Sequence, residues 1–241
     1  LPQVGPGDNV YRIDGAWNAS ECVLLLHGLA RTGKSMKQME HALALAGYAT
    51  CVLSYPSRKK ALQSLVAQNF SPALQECVRV GFKKIHCVTH SMGGIIVRMG
   101  LVEYRPDNFG RVVMLSPPNQ GSIVAEKLKS WWLFKLVNGR AGQQLGISKD
   151  AVPARLGAVD YEVGVITGNR HAFFDCWFSS FFSGENDGKV AVAEARVDGM
   201  ADFLVVPEAH PFIMNSPMVA RQTIHFLQQG HFSPRGRLPA Q

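Results

Sequence analysis

The chain has 241 residues, 46% of them hydrophobic and 18% charged, and carries a formal net charge of +7. That length buries a core without disulfide or metal staples and suits one α/β domain over residues 1–241. No apolar run is long enough to span a bilayer, and the basic balance comes without a dense Lys/Arg block interleaved with aromatics, so no nucleic-acid partner is expected.

In chain order, apolar runs at Cys22–Leu26, Thr50–Ser54, Ile85–Thr89, Arg111–Leu115, Glu162–Ile166 and Phe203–Val206 predict about six strands. Each run is continuous rather than alternating, the pattern of strands covered on both faces, so a mostly parallel sheet is expected. Helical spacing from Ser35 to Ala46 stops at Gly47. Ser71-Pro72 offers a cap and a first-turn proline for a helix running to Val80. Gly94 to Tyr104 reads as a helix halted near Arg105-Pro106, and Ser216-Pro217 opens a last one to about Gln229. Strands alternating with helices define the α/β class.

The segment 122–153 breaks this rhythm, being too long for a simple connection and carrying Trp131, Trp132, Leu133 and Phe134 in a row. It predicts an inserted cap or lid. The tail from His231 to Gln241 is expected to be poorly ordered. Cys22, Cys51, Cys77, Cys87 and Cys176 lack C-x-x-C spacing and predict buried free thiols, with no metal site expected. The chain begins with Leu1 rather than Met, which leaves localisation open, with a cytoplasmic setting slightly favoured and an upstream signal segment compatible.

Two short motifs compete for the chemistry. Gly28 to Ser35 spells G-x-x-x-x-G-K-S after an apolar strand, the pattern of a phosphate-cradling P-loop that would use Lys34 and Ser35. Its companion is missing, because none of the strands Thr50–Ser54, Ile85–Thr89, Arg111–Leu115 or Glu162–Ile166 ends in a carboxylate that could position Mg²⁺. Glu208, past the last strand, alone approaches that role. In VTHSMGGI, Val88 to Ile95, Ser91 sits where a buried strand gives way to a helix with Gly93 and Gly94 behind it, as in a nucleophile elbow. Thr89 stands where that pattern has glycine, and it fits if the facing helix residue is small.

A serine hydroxyl needs a histidine base, itself oriented by a carboxylate. His210 follows the terminal strand and enters a proline-containing loop, which favours it over His225 inside the last helix, over His90 packed beneath the elbow, and over His27 shaping the first loop. For the acid, Asp187 lies in the turn-rich SGENDGK segment, with Glu185 as its nearest rival and Asp175 and Asp160 less apt.

HGL at His27–Leu29, HSMGG at His90–Gly94, SPPNQGS at Ser116–Ser122, NDGKV at Asn186–Val190 and EAHPFIM at Glu208–Met214 together resemble the α/β-hydrolase superfamily, specifically its small lipase-like esterases. The resemblance runs from Val23 to Phe232. It implies a serine hydrolase of acyl esters, short- to medium-chain or lipid-like, with nucleophile Ser91, acid Asp187 and base His210 in that chain order, and no cofactor. It also implies an oxyanion hole from the backbone N–H groups of Leu29 and Met92. Trp131, Trp132 and Phe134 on the insertion are expected to line or cover an acyl pocket, with peripheral contact to a lipid surface compatible. The alternatives are a P-loop nucleotide-binding protein and a non-catalytic binding protein of the same fold.

Overall fold

The computed structural model describes residues 10–14, 19–128, 139, 141–148, 150–172, 182 and 184–234. Its centre is a seven-stranded sheet of β1 (Val10–Asp14), β2 (Glu21–Leu26), β3 (Ala49–Ser54), β4 (Lys84–His90), β5 (Phe109–Leu115), β6 (Val163–Arg170) and β7 (Asp202–Ala209). The order is β1-β3-β2-β4-β5-β6-β7. Only β1 is antiparallel, pairing Val10 with Ser54 through Asp14 with Thr50. All six strands expected from the sequence are present, and β1 is the seventh. Its five residues, VYRID, alternate and include two charges, so they lack the continuous apolar signature of a strand covered on both faces.

The helices are α1 (Lys37–Leu45), α2 (Leu62–Leu65), α3 (Ser71–Val80), α4 (Met92–Glu103), α5 (Ile123–Leu128), α6 (Val152–Arg155) and α7 (Pro217–Gln229). The pleat sends alternate residues of each strand into two separate cores. Cys22, Leu24 and Leu26 of β2 pack with Phe70, Leu74, Ile95 and Ile96 on the α3–α4 face. Val23 and Leu25 pack with Met39 and Leu43 of α1 and Val219 and Phe226 of α7 on the other. Phe226 is completely buried, a contribution of about 1.5–3 kcal/mol for a side chain of its class.

Two helix starts differ in kind. Ser216 caps α7 as expected, its Oγ accepting from the Val219 N–H at 3.5 Å, and Gly230 ends the helix at φ 79°. Ser71 caps nothing. Phe70 before it is already helical, and the backbone runs from Leu62 to Val80 through a π-turn at Val66–Phe70. Pro72 has no N–H and would clash with the carbonyl four residues back, and the wider turn just ahead of it absorbs both defects. Cys22, Cys51, Cys77 and Cys87 are buried and free, with the Cys22 and Cys77 Sγ atoms 3.8 Å apart. Cys176 lies outside the described residues, as do the tail beyond residue 234 and the segment 129–138. Among the described residues no helix is long and apolar enough to cross a membrane.

After β2 the chain places β3 on one side and β4 on the other, so the strand order reverses around β2. In open α/β sheets the carboxyl ends of the strands flanking such a reversal form the crevice where ligands bind.

Candidate active site

Ser91 follows β4 directly and precedes α4, with φ 54° and ψ −123°. Its N–H donates to the Leu115 carbonyl at 2.8 Å, and its carbonyl accepts from the Gly94 N–H at 3.0 Å. The turn is this sharp because α4 starts against the end of β2: a Cβ on Gly93 would lie 2.8 Å from the Leu26 carbonyl oxygen. Thr89 is accommodated by Gly94, whose added Cβ would come 3.3 Å from the Thr89 Oγ1. The missing glycine two residues before the serine is thus compensated three residues after it. Gly28 sits over the same spot, where a Cβ would meet the Ser91 Cβ at 3.1 Å and the His90 Nδ1 at 2.8 Å.

His210 follows β7 and is 5% exposed, while Asp187 is fully buried. The His210 Nδ1–H donates to the Asp187 Oδ2 at 2.8 Å, and the His210 backbone N–H donates to the Asp187 carbonyl at 3.0 Å. The other carboxylate oxygen, Oδ1, accepts from the N–H groups of Lys189 at 3.0 Å and Val190 at 2.8 Å. Gly168 of β6 makes room for this pairing, since a Cβ there would strike the Glu208 carbonyl oxygen at 2.1 Å and lie 3.1 Å from the Asp187 Cβ. Burial, the largest influence on the Asp187 carboxyl, pushes its pKa up. The facing His210, the Ser116 hydroxyl and the Val190 N–H outweigh it and leave the group below its ordinary value.

His90 ties the His210 loop to the strand end that precedes Ser91. Its Nε2–H donates to the His210 carbonyl at 3.1 Å, and the two rings lie 4.9 Å apart. His27 locks the loop after β2: its Nδ1–H donates to the Gly28 carbonyl at 2.8 Å, and its Nε2 accepts from the Tyr55 N–H at 3.2 Å. Tyr55 stacks on the His27 ring at 3.9 Å and its hydroxyl donates to the His27 carbonyl. Both nitrogens of His27 are thereby committed to the neutral ring, and burial lowers its pKa to about 4. Burial, followed by the charge of His210, likewise holds His90 well below its ordinary value.

An imidazole that protonates more readily in the unfolded chain stabilises the fold fully above its unfolded pKa and loses that contribution as pH falls to the folded one. Stability is therefore expected to decline as pH drops from about 6.5 to about 4, with His27 alone contributing about 3 kcal/mol. Urea unfolding at neutral pH and at steps down to 4 measures this, and a flat profile across that window contradicts it.

The loop after β2 leaves the backbone N–H of Leu29 without a protein acceptor among the described residues, and the same holds for Met92 in the first turn of α4. The Ala30 N–H, by contrast, donates to the Ser57 Oγ at 3.0 Å, with Ala30 held at φ 58°. Arg31 ties this loop to the histidine loop by donating to the Pro211 carbonyl at 3.0 Å.

The G-K-S end of the first motif points elsewhere. Gly33 packs against β3, where a Cβ would lie 2.9 Å from the Val52 Cγ1, the Ser35 Oγ donates to the Thr32 carbonyl at 2.8 Å, and Lys34 is exposed. The chain opens there with a 3₁₀ turn, Gly33–Met36, rather than the α-helix N-terminus that cradles phosphate.

Among the rivals for the acid, Asp160 is exposed and paired with Arg105 at 2.6 Å, and Glu185 is exposed and accepts from Asn169 at 3.2 Å. Asp175 lies outside the described residues, as do Trp131, Trp132 and Phe134. His225 is held to the His231 carbonyl at 2.8 Å on α7, away from Asp187. Among the described residues no three His, Cys, Asp or Glu side chains converge to hold a metal.

Sequence reasoning missed two charged residues that brace the site, Arg98 buried and Glu194 half-buried. Arg98, 3% exposed in the middle of the largely apolar α4, donates to the Asn119 carbonyl at 2.9 Å and the Gly157 carbonyl at 2.6 Å, pinning the loop after β5 to this helix. An arginine in the middle of an apolar helical stretch was the available signal. Glu194 accepts from the N–H groups of Ile123 and Ala191, both at 3.0 Å, and the Ser122 Oγ donates to the Lys189 carbonyl at 3.1 Å. The start of the long insertion is thus stitched to the turn that carries Asp187. A separate cavity of about 350 Å³ opens at the other ends of the strands, bordered by Tyr48, Lys84, His86 and Arg111, and shares no residue with Ser91, Asp187 or His210.

A parallel sheet whose strand ends carry a strained serine, a buried aspartate and a terminal histidine has the α/β-hydrolase fold, and the structural comparisons agree. The chain is similar to a lipase of Bacillus licheniformis, BlEst2 in its mature form, with 20% identity, a TM-score of 0.68 and coverage of 88% of this chain and 94% of that one. It is also similar to the phospholipase PlaB of Legionella pneumophila, at 20% identity and a TM-score of 0.66, covering 88% of this chain and 60% of PlaB. The esterase RhEst1 from a Rhodococcus species matches at 16% identity and a TM-score of 0.59, over 92% of this chain and 94% of the other. Comparison with protein-family models and with curated protein sequences returns no match.

Proposed function

We propose that the protein is a serine hydrolase of carboxylic esters. The observation that carries this reading is the bond between the His210 Nδ1–H and the fully buried Asp187 carboxylate, in a loop tied to the residue preceding Ser91. With its Nδ1 proton committed to Asp187, His210 keeps Nε2 bare and able to accept a proton. In the proposed cycle the Ser91 Oγ attacks the acyl carbonyl while His210 takes its proton, and the oxyanion forms between the N–H groups of Leu29 and Met92. His210 then protonates the departing alcohol, leaving an acyl-serine. Water, deprotonated by the same imidazole, attacks that ester and returns free acid and Ser91.

Asp187 stabilises the imidazolium in both halves without itself taking the proton. Lipase, phospholipase and esterase neighbours favour an acyl ester, including one with a lipid-like chain, as substrate. The segment 122–153, anchored through Ser122 and Ile123 to the acid turn, is read as the cap over the acyl pocket, with Trp131, Trp132 and Phe134 as its apolar contacts.

An active-site-directed fluorophosphonate tests the assignment. Stoichiometric phosphonylation located on Ser91 by peptide mass spectrometry is expected, and intact protein with no adduct would overturn the reading.

A further inference from the structure

Three non-glycine residues among the described ones hold a left-handed φ: Ala30 at 58°, Ser91 at 54° and Ser116 at 48°. They follow β2, β4 and β5, three strands adjacent in the sheet. Side chains with a Cβ are strained in this region, and such strain persists where the surroundings enforce it, most often at functional sites. Ala30 belongs to the loop proposed for the oxyanion and Ser91 is the proposed nucleophile. Ser116 has no part in the cycle above, although glycine would adopt its conformation without strain.

Its side chain is the informative part. Ser116 is completely buried, and its Oγ makes no hydrogen bond in the present rotamer. A buried hydroxyl without a partner is unfavourable, so each such group calls for an explanation. The Ser116 N–H donates to the Ile166 carbonyl at 2.8 Å, two residues before Gly168, whose Cβ position lies 3.1 Å from the Asp187 Cβ; the Ser116 hydroxyl is thereby one of the groups beside the Asp187 carboxylate that favour its ionised form. An ionised carboxylate offers about four acceptor positions. Three are taken, by His210 on Oδ2 and by Lys189 and Val190 on Oδ1.

We propose that Ser116 is a positioning residue, whose hydroxyl donates to the remaining acceptor position of the Asp187 carboxylate and fixes the plane in which that carboxylate meets His210. That bond satisfies the hydroxyl and the acceptor together. The strained turn at Ser116 is then part of the arrangement that directs so short a side chain at the acid. This rests on the ester-hydrolase reading, in which Asp187 orients the base.

The test is a titration of Asp187 by ¹³C NMR of protein labelled at the aspartate Cγ, in the wild type, Ser116→Ala and Ser116→Gly. Losing a donor to the ionised form is expected to raise the Asp187 midpoint by about one pH unit in both variants. The acid limb of kcat/KM is expected to move upward with it. Ser116→Gly relieves the backbone strain as it removes the hydroxyl, so it provides a folded variant even if Ser116→Ala does not. An Asp187 midpoint unchanged in Ser116→Gly overturns the proposal. The titration needs no turnover, so its outcome is separate from that of fluorophosphonate labelling, which tests the hydrolase reading.

Discussion

Ser91→Ala is expected to lower hydrolysis of p-nitrophenyl acyl esters by about 10⁴-fold or more while leaving the protein folded. The size of the effect follows from removing the atom proposed to carry the acyl group; in that reading binding and oxyanion stabilisation survive but have no covalent step to assist. Folding survives because the Cβ stays in place. The contacts at this turn are made by the backbone, from the Ser91 N–H to Leu115 and from Gly94 to the Ser91 carbonyl, and alanine keeps both. Initial rates across acyl chain lengths, with circular dichroism of the variant as control, check the prediction. A folded variant with turnover near wild type removes Ser91 from the mechanism.

Asp187→Asn is expected to reduce kcat by about 10⁴-fold near neutral pH through the tautomer of His210. The asparagine carbonyl can still accept from Lys189 and Val190, so the amide settles with its oxygen toward those N–H groups. Its NH₂ then faces the His210 Nδ1, where two donors cannot meet. The imidazole responds by moving its proton to Nε2, the atom that must be bare to accept from Ser91. Steady-state kinetics together with ¹⁵N chemical shifts of the His210 ring distinguish this from misfolding. Retention of the Nδ1–H tautomer with normal kcat contradicts the proposed role.

The sheet was legible because strands covered on both faces must be apolar throughout, and the runs at Cys22, Thr50, Ile85, Arg111, Glu162 and Phe203 have that property. Strand ends were less legible. β6 extends to Arg170 and β7 to Ala209, where Asn169, Arg170 and Glu208 interrupt the apolar run and hydrophobicity no longer marks the strand. The pairing of His210 with Asp187 was readable from loop position and residue chemistry. The need for a small helix residue facing Thr89 was readable too, and Gly94 meets it; the role of Gly168 against Glu208 was not, because it depends on a contact between elements distant in the chain. Ser116 is the hardest case: SPPNQGS contributes to the resemblance without giving its first residue a role, and only the backbone angle of that residue sets it apart.

The antiparallel β1 bears on how the protein behaves at high concentration. An open sheet ends in a row of unpaired N–H and C=O groups that can recruit a strand from another molecule. Without β1, that row on one side would belong to β3, a largely apolar strand from Ala49 to Ser54 and a receptive template for a neighbour's chain. β1 occupies the template and presents Arg12 and Asp14 in its place, with Arg12 reaching back to Glu40 at 2.8 Å. A strand that contributes nothing to the crevice thus serves the molecule's solubility, by replacing a sticky border with a charged one.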